Sequence, residues 1–351
     1  MKWRDPDMKI ITSPLRYPGG KSKALKKIIP HTPMDFSEYR EPFVGGGSVF
    51  LRLKQLKPNA KYKINDLNLD LMCFWEQLRK NPDELVREIR RIKNREDNGK
   101  KLFYRLKYDD DKSDEFSVAV RYFVLNRITY SGIVDAGGYS QESFKKRFTH
   151  SSIEKLVKVS KLLDNVEITN DSYEKLLLQD GNDVFIFLDP PYYGNKESKL
   201  YGKRGKFHRL FNHHKFAEDV KNCKHNYLIT YDDSVVIRKL FSFSNIYPWK
   251  LQYLMDNVNG NKPKKGSEIF ITNYERFTFA PVNKKLNTSK YDDIIEQVFK
   301  ADGNIIKINV EEKDPHYVRR ILNNRIKKKK LFNKLTINVI NNKLYAEKRN
   351  S

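Results

Sequence analysis

The sequence predicts an α/β fold, and three observations indicate it. Residues 13–80 repeat a pattern of a loop or short strand, a glycine-containing turn and an amphipathic helical run. Strands and helices alternate again from VEITND at 166–171 onward. Two largely apolar runs, VFIFL at 184–188 and GSEIFITNY at 266–274, are typical of core strands.

The pattern divides the chain into a main domain, an insertion and an appended unit. The main α/β domain is predicted to comprise residues 9–80 and 160–281. Residues 81–159 form the insertion, which is predicted to be mainly helical and to contain a loop rich in glycine and aromatic residues. Residues 282–351 contain 17 Lys and Arg against 8 Asp and Glu, and they predict a small basic α+β unit.

Composition and charge restrict the function. The 351 residues carry a formal net charge of +24, and the mean hydropathy is −0.72. No stretch approaches the roughly 18 apolar residues of a membrane span, and the N-terminus MKWRDPDMKI lacks the apolar core of a secretory signal. Two cysteines, Cys73 and Cys223, are too few for a disulfide framework or a four-thiolate zinc site. We therefore expect a soluble, folded cytoplasmic protein with a polyanionic partner. The charge favours a nucleic acid over a membrane surface, although a lysine-rich surface also serves solubility alone.

The motif Asp189-Pro190-Pro191-Tyr192 directly follows the predicted strand VFIFL. Ligands of open α/β sheets bind at the carboxyl ends of strands, where this motif falls. The exocyclic amine of a nucleobase is a poor nucleophile, because its lone pair is delocalised into the ring. The Asp189 carboxylate and the Pro190 carbonyl suit such an amine by accepting hydrogen bonds from its two protons, and Tyr192 suits stacking on a base flipped out of the duplex. An ordinary proline-rich turn is the alternative interpretation.

Two glycine-rich segments precede this motif, PGGKS at 18–22 and EPFVGGGS at 41–48. Glycines between a strand and a helix let the backbone approach a ligand closely. Neither segment matches a common nucleotide signature, since a P-loop would need glycine at Leu15 and a dinucleotide fingerprint would need glycine at Phe50. Simple glycine turns are the alternative.

Asp66 stands at the end of the predicted strand KYKIN, about 20 residues past the second glycine segment. An acidic residue there is suited to accept hydrogen bonds from ribose hydroxyls. The alternative is a cap, because Asp66 and Asn68 both precede an apolar helix.

The order of these motifs resembles the Dam-like class of DNA N6-adenine methyltransferases (D12 type), in which a PGGK motif comes first, an EPFxGxGS motif second and DPPY last. Here they read PGGK at 18–21, EPFVGGGSV at 41–49, NDLN at 65–68 and DPPYY at 189–193, within a resemblance that covers residues 13–274. It implies the Rossmann-like sheet of S-adenosylmethionine-dependent methyltransferases, that cofactor as methyl donor, and a helical and hairpin target-recognition region in the insertion. The implied cofactor-binding residues are Tyr17, Lys21, Phe43, Gly45, Gly47, Asp66, Asp171 and Asp189, and the implied catalytic residues are Asp189, Pro190 and Tyr192.

DNA contacts are predicted mainly in the insertion. Residues 125–132 resemble the start of the family's DNA-reading hairpin, but the following residues do not match readers of GATC, so the recognition sequence stays open. The candidates are Asn126 and Arg127 for base edges, Tyr130 and Tyr139 for a wedge in the vacated stack, and Lys145, Lys146 and Arg147 for phosphates. Helix caps or salt bridges are alternative roles for the first two.

Two other features carry weaker expectations. The basic loop LYGKRGKFHR at 200–209 is expected to close over the substrate or the DNA backbone, with a solvated surface loop as the alternative. His213 and His214 lack further ligands at metal-binding spacing, so no metal is expected.

We therefore predict a site-specific methyltransferase that transfers a methyl group from S-adenosylmethionine to N6 of an adenine flipped out of double-stranded DNA. A restriction-modification system is the predicted context, with a cognate endonuclease as candidate partner, and the oligomeric state stays open. The alternatives are methylation of cytosine N4, RNA as substrate, and a noncatalytic DNA-binding module. The presence of Lys21, Asp66, Asp189 and Tyr192 argues against the last of these.

Overall fold

The computed structural model divides the chain into two compact units, Met1–Arg276 and Phe277–Ser351. The residues that it describes are 10–33, 35–108, 114–193, 210–252, 265–275, 290–301, 303–309, 314–328, 331, 333–341 and 343–349. The basic loop at 200–209 lies outside them. No helix in the described ranges is long and apolar enough to cross a membrane.

The first unit contains a mostly parallel sheet, with seven strands among its described residues. The strands are β1 (Glu38–Glu41), β2 (Lys61–Asn65), β3 (Val166–Thr169), β4 (Val184–Leu188), β5 (Asn226–Asp232), β6 (Asn245–Gln252) and β7 (Lys265–Thr272). Their order is β3-β2-β1-β4-β5-β7-β6, in which β7 is antiparallel to both of its neighbours and the other pairs are parallel. This confirms the predicted Rossmann-like fold.

Burial on both faces explains the apolar sequence of β4. All five of its residues are buried. Phe185 and Phe187 join the core on one side of the sheet, and Ile186 joins the core on the other side. A parallel strand covered on both faces reads as a continuous apolar run, which is why VFIFL shows no alternation.

The strand order reverses between β1 and β4, which are hydrogen-bonded neighbours. From β1 the sheet continues through β2 and β3 on one side, and from β4 through β5 on the other. A ligand crevice forms outside the carboxyl ends of the strands at such a switch point. Because β1 ends at Glu41 and β4 at Leu188, the EPF and DPPY motifs meet there.

Helices connect these strands. They are α1 (Leu25–Ile28), α2 (Ser48–Leu56), α3 (Leu69–Lys80), α4 (Pro82–Arg95), α5 (Gly99–Tyr108), α6 (Glu115–Ile128), α7 (Gln141–Lys146), α8 (His150–Ser160), α9 (Tyr173–Leu178), α10 (His213–Lys221) and α11 (Val235–Leu240). Asn68 caps α3 by accepting a hydrogen bond from the Leu71 amide, which stabilises the turn after Asp66.

Helices α4–α8 lie between α3 and β3 along the chain, so the insertion is helical as predicted. The expected hairpin is reduced to one β-bridge between Thr129 and Tyr139, and a 3₁₀ turn covers Tyr130–Gly132. Gly132 has a φ of +76°, and a Cβ on it would lie 2.0 Å from the Arg16 carbonyl oxygen. Close packing against the segment before PGGK, rather than strand pairing, therefore shapes this loop.

The second unit has its own small core. Helices α12 (Lys290–Lys300) and α13 (Pro315–Lys328) accompany an antiparallel sheet of β8 (Ile305–Ile308), β9 (Leu335–Ile340) and β10 (Lys343–Lys348), ordered β8-β10-β9. Val318, Leu322 and Leu344 are fully buried in its core. The predicted succession of strand, helix, strand and strand is confirmed, and α12 precedes it.

Candidate active site

The DPPY aspartate is held at the switch point by two neighbours. Lys21 Nζ lies 2.6 Å from Asp189 Oδ1 and 2.7 Å from Oδ2. Thr230, on the adjacent strand β5, donates a hydrogen bond of 2.7 Å to Asp189 Oδ1. Lys21 is buried whereas Asp189 stays partly exposed. The carboxylate is therefore fixed in orientation while it still faces the crevice.

The DPPY tyrosine is positioned by a residue that the sequence analysis did not select. Tyr192 donates a hydrogen bond of 3.1 Å to Oε2 of Glu268, on β7. The Lys21 ammonium lies 5.0 Å from the centroid of the Tyr192 ring. Glu268 is 2% exposed, and burial is the main reason that its pKa is raised to about 7. A glutamate inside the apolar run GSEIFITNY was the available signal.

A second buried carboxyl group lies near Asp189, at the end of β1. Glu41, the last residue of β1, is buried and accepts a hydrogen bond of 2.5 Å from the Tyr39 hydroxyl. Burial raises its pKa to about 8, and the nearby Asp189 carboxylate adds to the rise. The positive charge of Lys21 therefore acts on three acidic residues. It pairs with Asp189, and it opposes the rise in the pKa of Glu41 and of Glu268.

The glycine turn after β1 packs closely against Tyr17. Gly45 has a φ of +45°, and a Cβ there would lie 2.6 Å from Cε1 of the Tyr17 ring. The Gly45 amide donates to Asp66 Oδ2 at 3.0 Å, and its carbonyl accepts from the Trp75 indole at 3.1 Å. Gly47, with a φ of +66°, also abuts Trp75. Only glycine suits this combination of a left-handed backbone and close contacts.

Asp66 shapes the turn before α3, which is one of the two roles that the sequence left open. Its second oxygen, Oδ1, accepts a hydrogen bond of 3.1 Å from the Asn68 amide, so it helps to shape the turn before α3. It is partly exposed at the carboxyl end of β2, and burial raises its pKa to about 6.

Asn65 joins the loops after β1, β2 and β3. Its side chain donates to the carbonyls of Pro42 and Asp171, at 3.1 and 2.9 Å, and accepts from the Asp171 amide at 2.8 Å. The Asp171 carboxylate pairs with Lys175 at 2.6 Å. Phe43 packs in an aromatic group, with its ring 5.5 Å from that of Tyr173. Asn65 was not selected from sequence, although an amide at the end of the predicted strand KYKIN was the available signal.

A cavity of about 270 Å³ opens beside Tyr17. It is lined by Thr12, Ser13, Leu15, Tyr17, Gly20, Ser22 and Ser48. Four of these residues carry hydroxyl groups on short side chains, so the cavity offers hydrogen bonds next to an aromatic ring and the glycine-rich segments.

The structure corrects the prediction for Asn126. This residue is fully buried, and its amide donates to the carbonyls of Arg16 and Gly132, both at 2.9 Å, while its oxygen accepts from the Arg16 amide at 2.9 Å. Asn126 therefore ties two loops together and does not present its side chain to a base.

The other predicted DNA-contacting residues occupy two kinds of position. Arg127 is largely buried and donates to the carbonyls of Arg147 and Pro14, at 2.8 and 3.2 Å. Burial, together with the charges of Arg16 and Arg147, lowers its pKa to about 10. Those three arginines form a basic cluster at the base of the inserted loop. Tyr130 (63% exposed), Lys145, Lys146 and Arg147 face solvent, whereas Tyr139 is partly buried.

Comparisons with known proteins identify the family. The model of the D12 class N6 adenine-specific DNA methyltransferases matches residues 17–255. A type II methyltransferase of Methanocaldococcus jannaschii is 30% identical over 199 residues, which cover 51% of this chain and 68% of that protein. A type II methyltransferase of Lactococcus lactis subsp. cremoris is 24% identical over 282 residues, covering 74% and 94%. A DNA adenine methylase of Escherichia coli is 29% identical over 189 residues, covering 51% and 64%.

The fold and the site thus define an α/β protein with an acidic, lysine-bridged crevice at the switch point of its sheet, where folds of this kind bind ligands. The chain belongs to the D12 class of N6 adenine-specific DNA methyltransferases. The recognition made from the order of PGGK, EPFVGGGS and DPPY is confirmed.

Proposed function

We propose that this crevice transfers a methyl group from S-adenosylmethionine to N6 of an adenine that is flipped out of double-stranded DNA. The observation that carries the proposal is the fixed Asp189 carboxylate, bound by Lys21 and Thr230 at the carboxyl end of β4. Its exposed part lies where an open α/β sheet binds ligands.

The residues around Tyr17 fit the methyl donor. S-adenosylmethionine supplies a methyl group already activated on a sulfonium sulfur, so no metal is required. Asp66 suits the ribose hydroxyls, Asp171 suits the adenine amine, and the Tyr17 and Phe43 rings suit apolar contact with the cofactor. The hydroxyl-lined cavity beside Tyr17 and the side-chain-free turn at Gly45 leave room and hydrogen-bonding groups for a nucleoside.

The DPPY residues suit activation of the amine. Asp189 and the Pro190 carbonyl accept hydrogen bonds from the two N6 protons and turn the nitrogen lone pair toward the methyl group, and one of these protons leaves N6 when the methyl group is added. Lys21 and Thr230 restrict the Asp189 carboxylate, which limits its motion during the reaction. Tyr192 stacks on the flipped base, with its hydroxyl anchored on Glu268.

The exposed basic and aromatic residues of the insertion suit the DNA. Lys145, Lys146 and Arg147 bind phosphates, and Tyr130 fills the space of the flipped base. We assign a secondary role to Tyr139 and Arg127, whose partial burial restricts their reach.

A sequence-specific site in a restriction-modification system, with a cognate endonuclease, is consistent with the type II names of two relatives. A reducing cytoplasm fits the free thiols Cys73 and Cys223.

The test is methyl transfer from labelled S-adenosylmethionine to duplex DNA of mixed sequence, with the modified nucleoside identified by mass spectrometry. Wild type is expected to produce N6-methyladenine. Asp189→Asn should lose at least about a thousandfold in rate, because it removes the charge that polarises the amine. Asp180→Asn, at a 92% exposed carboxylate, is the matched control. N4-methylcytosine as product would overturn the proposed substrate, and full activity of Asp189→Asn would overturn the mechanism.

A further inference from the structure

Helix α13 presents a basic face in the second compact unit. Its inner residues Val318, Leu322 and Ile326 are buried in the unit's core, beside residues of β9 and β10. The outer face consists of exposed residues, namely His316, Tyr317, Arg319, Arg320, Asn323, Asn324 and Lys327. The helix is therefore amphipathic, with a strongly cationic outer side.

The charges on this face are not balanced within the described part of the chain. Helix α13 contains no acidic residue. On α4 and α7, by contrast, basic side chains pair with acids one turn away. Arg325 is used internally, since it pairs with Asp292 of α12 at 3.1 Å. Among the residues that the structure describes, no ion pair involves Arg319, Arg320 or Lys327. Within the described residues these three side chains therefore leave the outer face of α13 positively charged.

The geometry of the face matches a DNA duplex. At 1.5 Å per residue, the distance along the helix from His316 to Lys327 is about 16 Å, the length of about five base pairs. The Arg320 guanidinium lies 5.6 Å from the centroid of the exposed Tyr317 ring, which restricts that side chain. Asn323, of a type that binds adenine edges, stands between Arg320 and Lys327 on the same stripe. The major groove is wide enough for one helix of this kind.

The shared chemistry of the family does not account for this helix. The family match ends at residue 255, before the second unit begins at Phe277. The residues that hold Asp189 and Tyr192, namely Lys21, Thr230 and Glu268, all lie in the first unit. A basic helix in a separately folded unit therefore has a task other than methyl transfer itself.

We propose that the outer face of α13 is a second DNA-binding surface, which binds duplex DNA through phosphate contacts of Arg320 and Lys327. This inference rests on the proposed DNA substrate and deepens it. The surface adds affinity and orientation for the DNA, while the crevice in the first unit performs the reaction.

The experiment compares two charge-matched variants of the full chain. Arg320→Ala/Lys327→Ala removes two charges from α13, and Lys307→Ala/Lys343→Ala removes two exposed charges from β8 and β10 of the same unit. Binding of a fluorescein-labelled mixed-sequence DNA duplex is followed by anisotropy at several NaCl concentrations. The helix variant should lose about tenfold or more in affinity at low salt, and its salt slope should fall by about 2. The strand variant should change by less than about threefold.

Methyl transfer at saturating DNA is measured in parallel, and both variants should keep the wild-type rate. Equal losses of affinity in both variants would mean that DNA binding depends only on the net charge of the unit, and this would overturn the assignment to α13. Unchanged affinity and slope in the helix variant, or tighter binding of an RNA duplex than of the DNA, would overturn it too. If the wild type binds DNA through α13 but forms no methyladenine, this result would refute only the proposed function, and the assignment of α13 would stand.

Discussion

Replacing Glu268 is expected to impair methyl transfer through Tyr192, although Glu268 lies behind the tyrosine and belongs to no recognised motif. The Tyr192 hydroxyl is 3.1 Å from a carboxylate oxygen that is almost entirely buried. A hydrogen bond to such a charged acceptor contributes about 1.5–3 kcal/mol. If about half of that restrains the ring for stacking, Glu268→Ala should lower kcat/KM about tenfold.

A double-mutant cycle separates this positioning role from a general loss of structure. Tyr192→Phe keeps the ring but removes the hydroxyl, so Glu268→Ala should have little further effect in that background. The expected coupling is about 1 kcal/mol. Glu218→Gln, on the exposed side of α10, is the control for loss of one carboxylate. Strictly additive effects of Glu268→Ala and Tyr192→Phe on kcat/KM would refute the reasoning.

The pH profile provides an independent readout. Burial raises the pKa of Glu268 to about 7, so the charged acceptor forms only as the pH rises through that value. We expect kcat/KM of the wild type to rise through pH 7. Glu268→Gln keeps a hydrogen-bond acceptor but does not titrate, so this inflection should disappear from its profile. An unchanged inflection in that variant would assign the ionisation to another group.

Three further predictions concern stability and cofactor binding. Asn126→Ala should lower the free energy of unfolding by about 3 kcal/mol in urea titrations, because it removes the three hydrogen bonds of a fully buried side chain; a loss under about 1 kcal/mol would contradict its role as a tie between loops. Burial raises the pKa of Glu41 from 4.5 to about 8, so the folded protein holds a proton that the unfolded chain releases, and stability falls as pH rises through this window. Glu41→Gln should flatten the decline of the free energy of unfolding between pH 5 and pH 8, by about 1.4 kcal/mol per unit of pKa difference removed, and a decline parallel to that of the wild type would refute the assignment. Gly45→Ala should weaken S-adenosylmethionine binding at least about tenfold in calorimetry, since the new methyl group meets the Tyr17 ring, whereas Gly138→Ala has open space and should bind normally.

The order of the motifs and the periodicity of the strands were sufficient to predict the sheet and the position of the crevice. Strand β4 is an unbroken apolar run because both of its faces are covered, so the sequence identifies it as central. The DPPY motif follows directly, and the carboxyl end of a central strand is where such a sheet binds ligands. Both features lie within short stretches of the sequence, so they can be recognised without the structure.

Residue type alone misassigned Asn126. Its amide suits an adenine edge and a buried backbone tie equally well, and the two roles differ only in solvent exposure. The structure buries it completely, because the segment before PGGK packs across the end of α6 and supplies two backbone partners at Arg16, while Gly132 supplies the third. Exposure depends on which segments of the chain meet, and no local pattern encodes that.

The sequence by itself determined the class of fold and the family, and it predicted the residues of the site, because each of these depends on short motifs and on the periodicity of single elements. Only the tertiary structure decided how those residues are held. Lys21 and Asp189 are 168 positions apart and form one ion pair, and Glu268 reaches Tyr192 from an antiparallel strand. Such contacts arise from the order of strands across the sheet, which brings distant segments to one edge, so they exist only in the folded chain.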